Sequence, residues 1–144
     1  MNKSWGAGGR AFLALKFGDA ELDSVVDHFR VAVEKTGFVL RRMDDEPRAG
    51  LIDDRMRVEI RQARFLLADL THASNGAYWE AGYAEGLGKP VIYLCKRSVF
   101  AKGDTHFDTN HHLTVQWDLA TIADDMERLK ATIRFSIPEA RQVD

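Results

Sequence analysis

Two short apolar runs, Phe65 to Leu70 and Val91 to Cys95, constrain this chain more than any other feature. Each is almost unbroken, which predicts strands covered on both faces, as in a parallel sheet with helices above and below. The segment between them, THASNGAYWEAGYAEGLGKP, then predicts the crossover helix. Ser74 or Asn75 can cap its start, and Gly88 and Pro90 end it. Its residues Ala77, Ala81, Gly82 and Ala84 are small. Glu80 lies about one and a half turns in, and the helical period gives it a face shared with Gly76, Tyr83, Ala84 and Leu87. A carboxylate on a face of small and apolar groups is the first candidate for a reactive group.

The remaining chain alternates in the same way. After the Gly-rich stretch Met1 to Gly9, expected to be flexible, Ala11 to Phe17 predicts a buried strand. Asp19 can cap a helix whose stripe is Leu22, Val25, Val26, Phe29 and Val33, ended by Gly37. Phe38 to Leu40 predicts a second strand, running into Arg41, Arg42 and the acidic loop Asp44, Asp45, Glu46 and Pro47. The stripe Ile52, Met56, Ile60 and Ala63 predicts the next helix. Lys96 to His112 has no clear periodicity, Leu113 to Trp117 predicts a strand, and Asp118 caps a last helix with Leu119, Ile122, Met126, Leu129 and Ile133 inward. Strands alternating with amphipathic helices predict one α/β domain over residues 1–144: a five-stranded, mainly parallel, doubly wound sheet of flavodoxin-like order with helices on both faces. Ligands bind such sheets beyond the carboxyl ends of the strands, where strand order reverses. That places Phe17, Gly18 and Asp19, the loop Asp69 to Asn75, the start of the Glu80 helix and the Lys96 to His112 segment around one crevice.

Composition narrows the function. A chain of 144 residues with 45% hydrophobic content fits a single core. A net charge of −2, from 20 basic and 22 acidic residues, gives no electrostatic case for duplex nucleic acid or an anionic membrane. The single cysteine, Cys95, excludes an internal disulfide. No apolar run approaches a membrane span and MNKSWGAGGR lacks the apolar core of a signal peptide, so a cytoplasmic protein is expected. WGAGGR precedes the first strand instead of following it, which argues against a phosphate loop. His106, Asp108, His111 and His112 match no zinc spacing, and adjacent histidines in an extended strand point to opposite faces. Neither a metal nor another cofactor is expected.

The run ADLTHASNGAYWEAGYAEGLGKPVIYLC resembles the signature of the nucleoside 2-deoxyribosyltransferase-like superfamily: a strand ending in Asp-Leu-Thr, then a helix carrying Glu-x-Gly-Tyr-Ala, then Gly-Lys-Pro and an apolar strand. FLALKFG and HFDTNHHLTVQWD are similar more loosely. The superfamily includes nucleobase transferases, deoxynucleoside monophosphate hydrolases and relatives of TIR-like NAD-cleaving domains. The resemblance implies that Glu80 is the nucleophile. The transferases commonly carry an acid six residues before it; Ser74 stands there, as in the monophosphate hydrolases. The hydrolases' assisting Asp corresponds to Met56. The resemblance also implies a homodimer or higher homo-oligomer, in which Asp108, Asn110 or His111 of a late loop completes the neighbour's pocket.

An N-glycosidic C1′–N bond cleaves through an oxocarbenium-like transition state, so an ionised Glu80 below C1′ can stabilise the cation or trap it as an ester. Burial opposes ionisation, and a donor or cation is therefore expected beside it, with Tyr78, Trp79 and Tyr83 the candidate neighbours. Asp69, Asp44 or Asp45 can protonate or hydrogen-bond the leaving base, although Asp69 can equally cap its own turn. The Ser74 hydroxyl and the backbone N–H groups near Asn75 and Gly76 can form an anion site at the helix start. The expected partner is a small nucleoside or nucleotide, cleaved by hydrolysis or transfer. The alternatives are a TIR-like NAD-cleaving enzyme and a non-catalytic nucleotide-binding module.

Overall fold

In the computed structural model the described residues are 9–16, 18–42, 52–72, 74–102 and 114–141. They form, in chain order, β1 (Arg10–Ala14), α1 (Ala20–Glu34), β2 (Val39–Arg42), α2 (Ile52–Gln62), β3 (Phe65–Asp69), α3 (Asn75–Gly86), β4 (Val91–Lys96), α4 (Arg97–Lys102), β5 (Thr114–Trp117), a 3-10 turn (Leu119–Thr121) and α5 (Ile122–Ser136). The strands make one five-stranded sheet in the order β2-β1-β3-β4-β5, and every pairing is parallel. This is the flavodoxin-like doubly wound arrangement, with strand order reversing between β1 and β3.

The two faces of the sheet carry different cores. On one, Leu22, Val25, Phe29 and Val33 of α1 and Met126, Leu129 and Ile133 of α5 pack with Leu13, Leu67, Leu94 and Trp117. On the other, α2 and α3 cover Phe12, Ala14, Leu66, Ala68 and Leu70 with Ile60, Ala77, Ala81 and Ala84. Alanine on both sides of that second contact lets α3 lie close to the strands. Gly88, at φ +79°, closes α3: its N–H donates to the Glu85 carbonyl and the Lys89 N–H to the Ala84 carbonyl, the pattern of a left-handed helix cap.

Local expectations shift in four places. The first strand stops at Ala14, and Leu15 and Lys16 leave it. The second extends through Arg41 and Arg42, whose charges reach Glu59 and Asp23. Lys96 to His112 is not wholly irregular: Lys96 ends β4, and Arg97–Lys102 is a helix too short to show a period. Leu119 points outward, 41% exposed. The Asp118 carboxylate accepts from the Ala120 N–H, which winds Leu119–Thr121 as a 3-10 turn and puts Leu119 out of phase with α5.

Side chains at the carboxyl end of the sheet tie the strands together. Asp69 is buried at the end of β3; its Oδ1 accepts from the Thr71 N–H (2.9 Å) and its Oδ2 from the Trp117 Nε1–H (2.8 Å) at the end of β5. The Thr71 hydroxyl oxygen accepts from the Lys96 N–H at the end of β4 (3.0 Å). Trp117→Phe leaves a buried carboxylate oxygen without its donor. A loss of about 1–3 kcal/mol in unfolding free energy is expected from that oxygen alone, read by urea titration. A loss below about 0.5 kcal/mol would mean that the donor is dispensable.

Candidate active site

The buried stripe of α3 is Ala77, Glu80, Ala81 and Ala84, the three-four spacing of a sheet-facing helix. Glu80 occupies a core position, 8% exposed, among alanines. The described residues supply it with no hydrogen bond or ion pair. Desolvation, with nothing to offset it, pushes its carboxyl up to about 8. The expected donor beside it is thus not present in the described chain. Trp79 is exposed and lies parallel on the Tyr83 ring, centroids 5.3 Å apart; Arg57 stands over Trp79 at 5.4 Å and Arg61 over Tyr83 at 6.0 Å. Tyr83 itself, one turn beyond Glu80, is half-buried, and its hydroxyl is buried without a hydrogen-bond partner among the described residues. Glu80 and Tyr83 are therefore two polar groups of one helix with unanswered hydrogen-bonding capacity.

Between the two capping candidates the structure selects Ser74. Its backbone is extended and its Oγ accepts from the Ala77 N–H over a long 3.4 Å. Asn75 and Gly76 are exposed at the first turn, where helix N–H groups have no intrahelical acceptor. The start of α3 is consequently open to an anion. The start of α1 is not: the Asp19 carboxylate accepts from the Leu22 N–H at 2.8 Å, a contact that, with the neighbouring His72, holds Asp19 below the usual carboxylate range.

A set of long-range pairs links α1 to the crevice rim. His72 Nε2 lies 2.8 Å from Asp19 Oδ2, joining the β3 loop to the β1 loop across the point where strand order reverses. Lys96 donates to Glu21 at 2.8 Å, and Arg42 to Asp23 at 3.0 Å. Sequence reasoning missed His72 and Lys96. The available signal was their place at the ends of β3 and β4, opposite the acidic first turn of α1.

Of the candidate residues, Gly18, Asp69, Ser74, Asn75, Gly76, Glu80 and Tyr83 fall on the β1 loop, the β3 end and α3, the elements that meet at the switch point. Gly18 is exposed, with φ +85°. Both oxygens of Asp69 are engaged, and burial pushes its carboxyl above the ordinary range against the hydrogen bonds from Thr71 and Trp117. Met56 packs on the same apolar cluster as Tyr83. Phe17, Asp44, Asp108, Asn110 and His111 lie outside the described residues, as do Asp45, His106 and His112. Among the described residues no cluster of His, Cys, Asp and Glu could hold a metal ion, and no helix is long and apolar enough to cross a membrane. Comparison with known proteins adds no assignment: no family model matches the chain, and no curated protein matches it.

Glu80 couples this site to stability. Its carboxyl holds a proton more tightly in the folded chain, about 8 against a usual 4.5, so this group's contribution is greatest at low pH. It falls as pH rises between those values and is level above them. Glu80→Gln removes the slope. The unfolding free energy of the variant relative to wild type should rise by on the order of 1–3 kcal/mol between about pH 5 and about pH 8. Parallel pH–stability curves for the two proteins would contradict the burial argument.

Proposed function

We propose that this chain cleaves or transfers the N-glycosidic bond of a nucleoside or nucleotide, with Glu80 as nucleophile. The observation that carries the reading is a carboxyl in a core position of α3, without a partner among the described residues, about one and a half turns from an open helix start at the switch point of the sheet. In its ionised form the Glu80 carboxylate attacks C1′ while the C1′–N bond breaks. The base leaves with the bonding electron pair and gains a proton, and water or a second base then releases the sugar from the ester. A 5′-phosphate fits the N–H groups of Asn75 and Gly76 and the Ser74 hydroxyl. Asp69, engaged by Thr71 and Trp117, takes a positioning role, fixing the loop that leads into α3. Homo-oligomeric assembly is part of the same reading and rests on the resemblance alone.

One observation favours a second reading. Met56 presents an apolar side chain to the α2–α3 cluster where related hydrolases carry an assisting Asp, which fits a nucleotide-binding module without turnover.

Base release from deoxynucleosides, ribonucleosides, their monophosphates and NAD, followed by chromatography with and without an acceptor base, separates the readings. Wild type should release base, and Glu80→Ala and Glu80→Gln should not. Because the free protein must lose the Glu80 proton before attack, kcat/KM should climb with pH and level off above about 8. Ser74→Ala should weaken monophosphates about tenfold or less while sparing nucleosides. Nicotinamide release from NAD would select the TIR-like branch. Binding without base release or exchange, unchanged in Glu80→Gln, would replace the enzyme by the binding module.

A further inference from the structure

The surroundings of Glu80 bear on the kind of glycoside its site can take. A buried carboxyl without a partner is costly to ionise, because its water has been removed and nothing has replaced it. Glu80 is 8% exposed, and among the described residues no hydrogen bond and no nearby charge offsets that burial. Arg57 and Arg61 of α2 do not answer it. Their guanidinium groups lie over the Trp79 and Tyr83 rings, and Arg57 also donates to Asp54 at 3.4 Å. Tyr83, one turn on, brings a buried hydroxyl, which supplies a dipole in place of a charge, and Met56 on the same apolar cluster brings neither. Among the described residues the site therefore holds a latent negative charge without its positive counterpart.

The leaving group meets the matching demand. An uncharged base that departs with the bonding pair becomes an anion and needs a proton as it goes. Asp69, the buried acid at the end of β3, has both oxygens accepting, from the Thr71 N–H and the Trp117 indole, and Met56 has no proton to give. A glycoside whose nitrogen already carries a positive charge needs none. Its C1′–N bond breaks, the pair stays with nitrogen, and the base leaves neutral.

We infer that the Glu80 site takes an N-glycoside with a cationic base, such as a pyridinium or N-alkylated purine nucleotide. This rests on the reading of Glu80 as the group that meets C1′, and names the class of glycoside. The ligand brings the missing countercharge, and Glu80 gives up its proton as the cation binds. The carboxylate then bonds C1′ as a neutral ester while the base departs neutral. Water breaks the ester: its oxygen goes to C1′ with one hydrogen, and its other proton returns Glu80 to the resting acid. An uncharged nucleoside brings no such charge, and a carboxyl at about 8 is then mostly neutral at about pH 7. A 5′-phosphate at the start of α3 is common to all mononucleotides and does not choose among their bases.

Calorimetry of the whole chain with carbocyclic nicotinamide mononucleotide tests the inference, since a methylene in place of the ring oxygen prevents cleavage. At about pH 7 the oxidised, cationic ring should bind about tenfold or more tighter than the reduced, uncharged ring. Its binding should also release a proton, read as a dependence on the ionisation heat of the buffer. In Glu80→Gln, whose amide is neutral like the resting acid, the two rings should bind alike. Equal affinity in wild type, no binding of either ring, or a preference that survives in Glu80→Gln would overturn the inference. Turnover is read separately, as base release from nicotinamide mononucleotide, N7-methylguanosine monophosphate and guanosine monophosphate. Cationic glycosides also break faster in water, so affinity decides the class and the faster cationic nucleotide names the base. Faster release from guanosine monophosphate than from either cation, lost in Glu80→Ala, would overturn the inference and leave the glycosidase reading standing. A cation preference with no release from any of the three would support the ligand class as that of a binding module and remove the glycosidase reading.

Discussion

The close contact between α3 and the sheet governs what this molecule can do. Ala77, Ala81 and Ala84 meet Ala14 and Ala68, so the helix sits low and its facing stripe is sealed from water. Glu80 belongs to that stripe. A carboxyl placed there by packing loses its hydration and, with no donor among the described residues, keeps its proton into the neutral range. Stability and chemistry pull in opposite directions at this position. The neutral acid is the stable resident of an alanine-lined site, and the ionised form is the one that the proposed reaction requires. Such conflicts are characteristic of functional positions.

Two carboxylates buried on neighbouring elements illustrate how environment assigns roles. Asp69 receives an N–H from Thr71 and an indole N–H from Trp117, and so serves as a fastener between the ends of β3 and β5. Glu80 receives no donor from the described residues. The Asp-Leu-Thr run therefore has a structural explanation in this chain: Asp69 and Thr71 together fix the ends of three strands and aim the loop that enters α3. The acidic first turn of α1 does similar work at the rim, where Asp19, Glu21 and Asp23 reach His72, Lys96 and Arg42.

Much of this was readable in the residue order. The doubly apolar runs at Phe65 and Val91 became central strands, and the described stripe residues of α1, α2 and α5 other than Leu119 packed onto the cores because their three-four spacing extends over several turns. The α4 helix was not readable, since six residues hold too little of a period. Leu119 was misplaced because a cap at Asp118 changes helix type before it changes direction. Long-range pairs were beyond reach for a simpler reason. An acid in the first turn of a helix, such as Asp125 or Glu21, reads as a favourable dipole contact, and only topology brings Arg97 or Lys96 to it. The environment of Glu80 divided in the same way. Its small neighbours were visible, but a donor was expected beside it, and the described residues leave burial unopposed.

The most direct test of the account is a carbon-13 NMR titration of the Glu80 side-chain carboxyl in the free protein, assigned by comparison with Glu80→Gln. The account predicts a carboxyl that titrates near 8 and is absent from the variant. A Glu80 carboxyl that titrates near the ordinary value of 4.5 would show that water or a donor reaches it, and the site would lose the property on which its proposed chemistry rests.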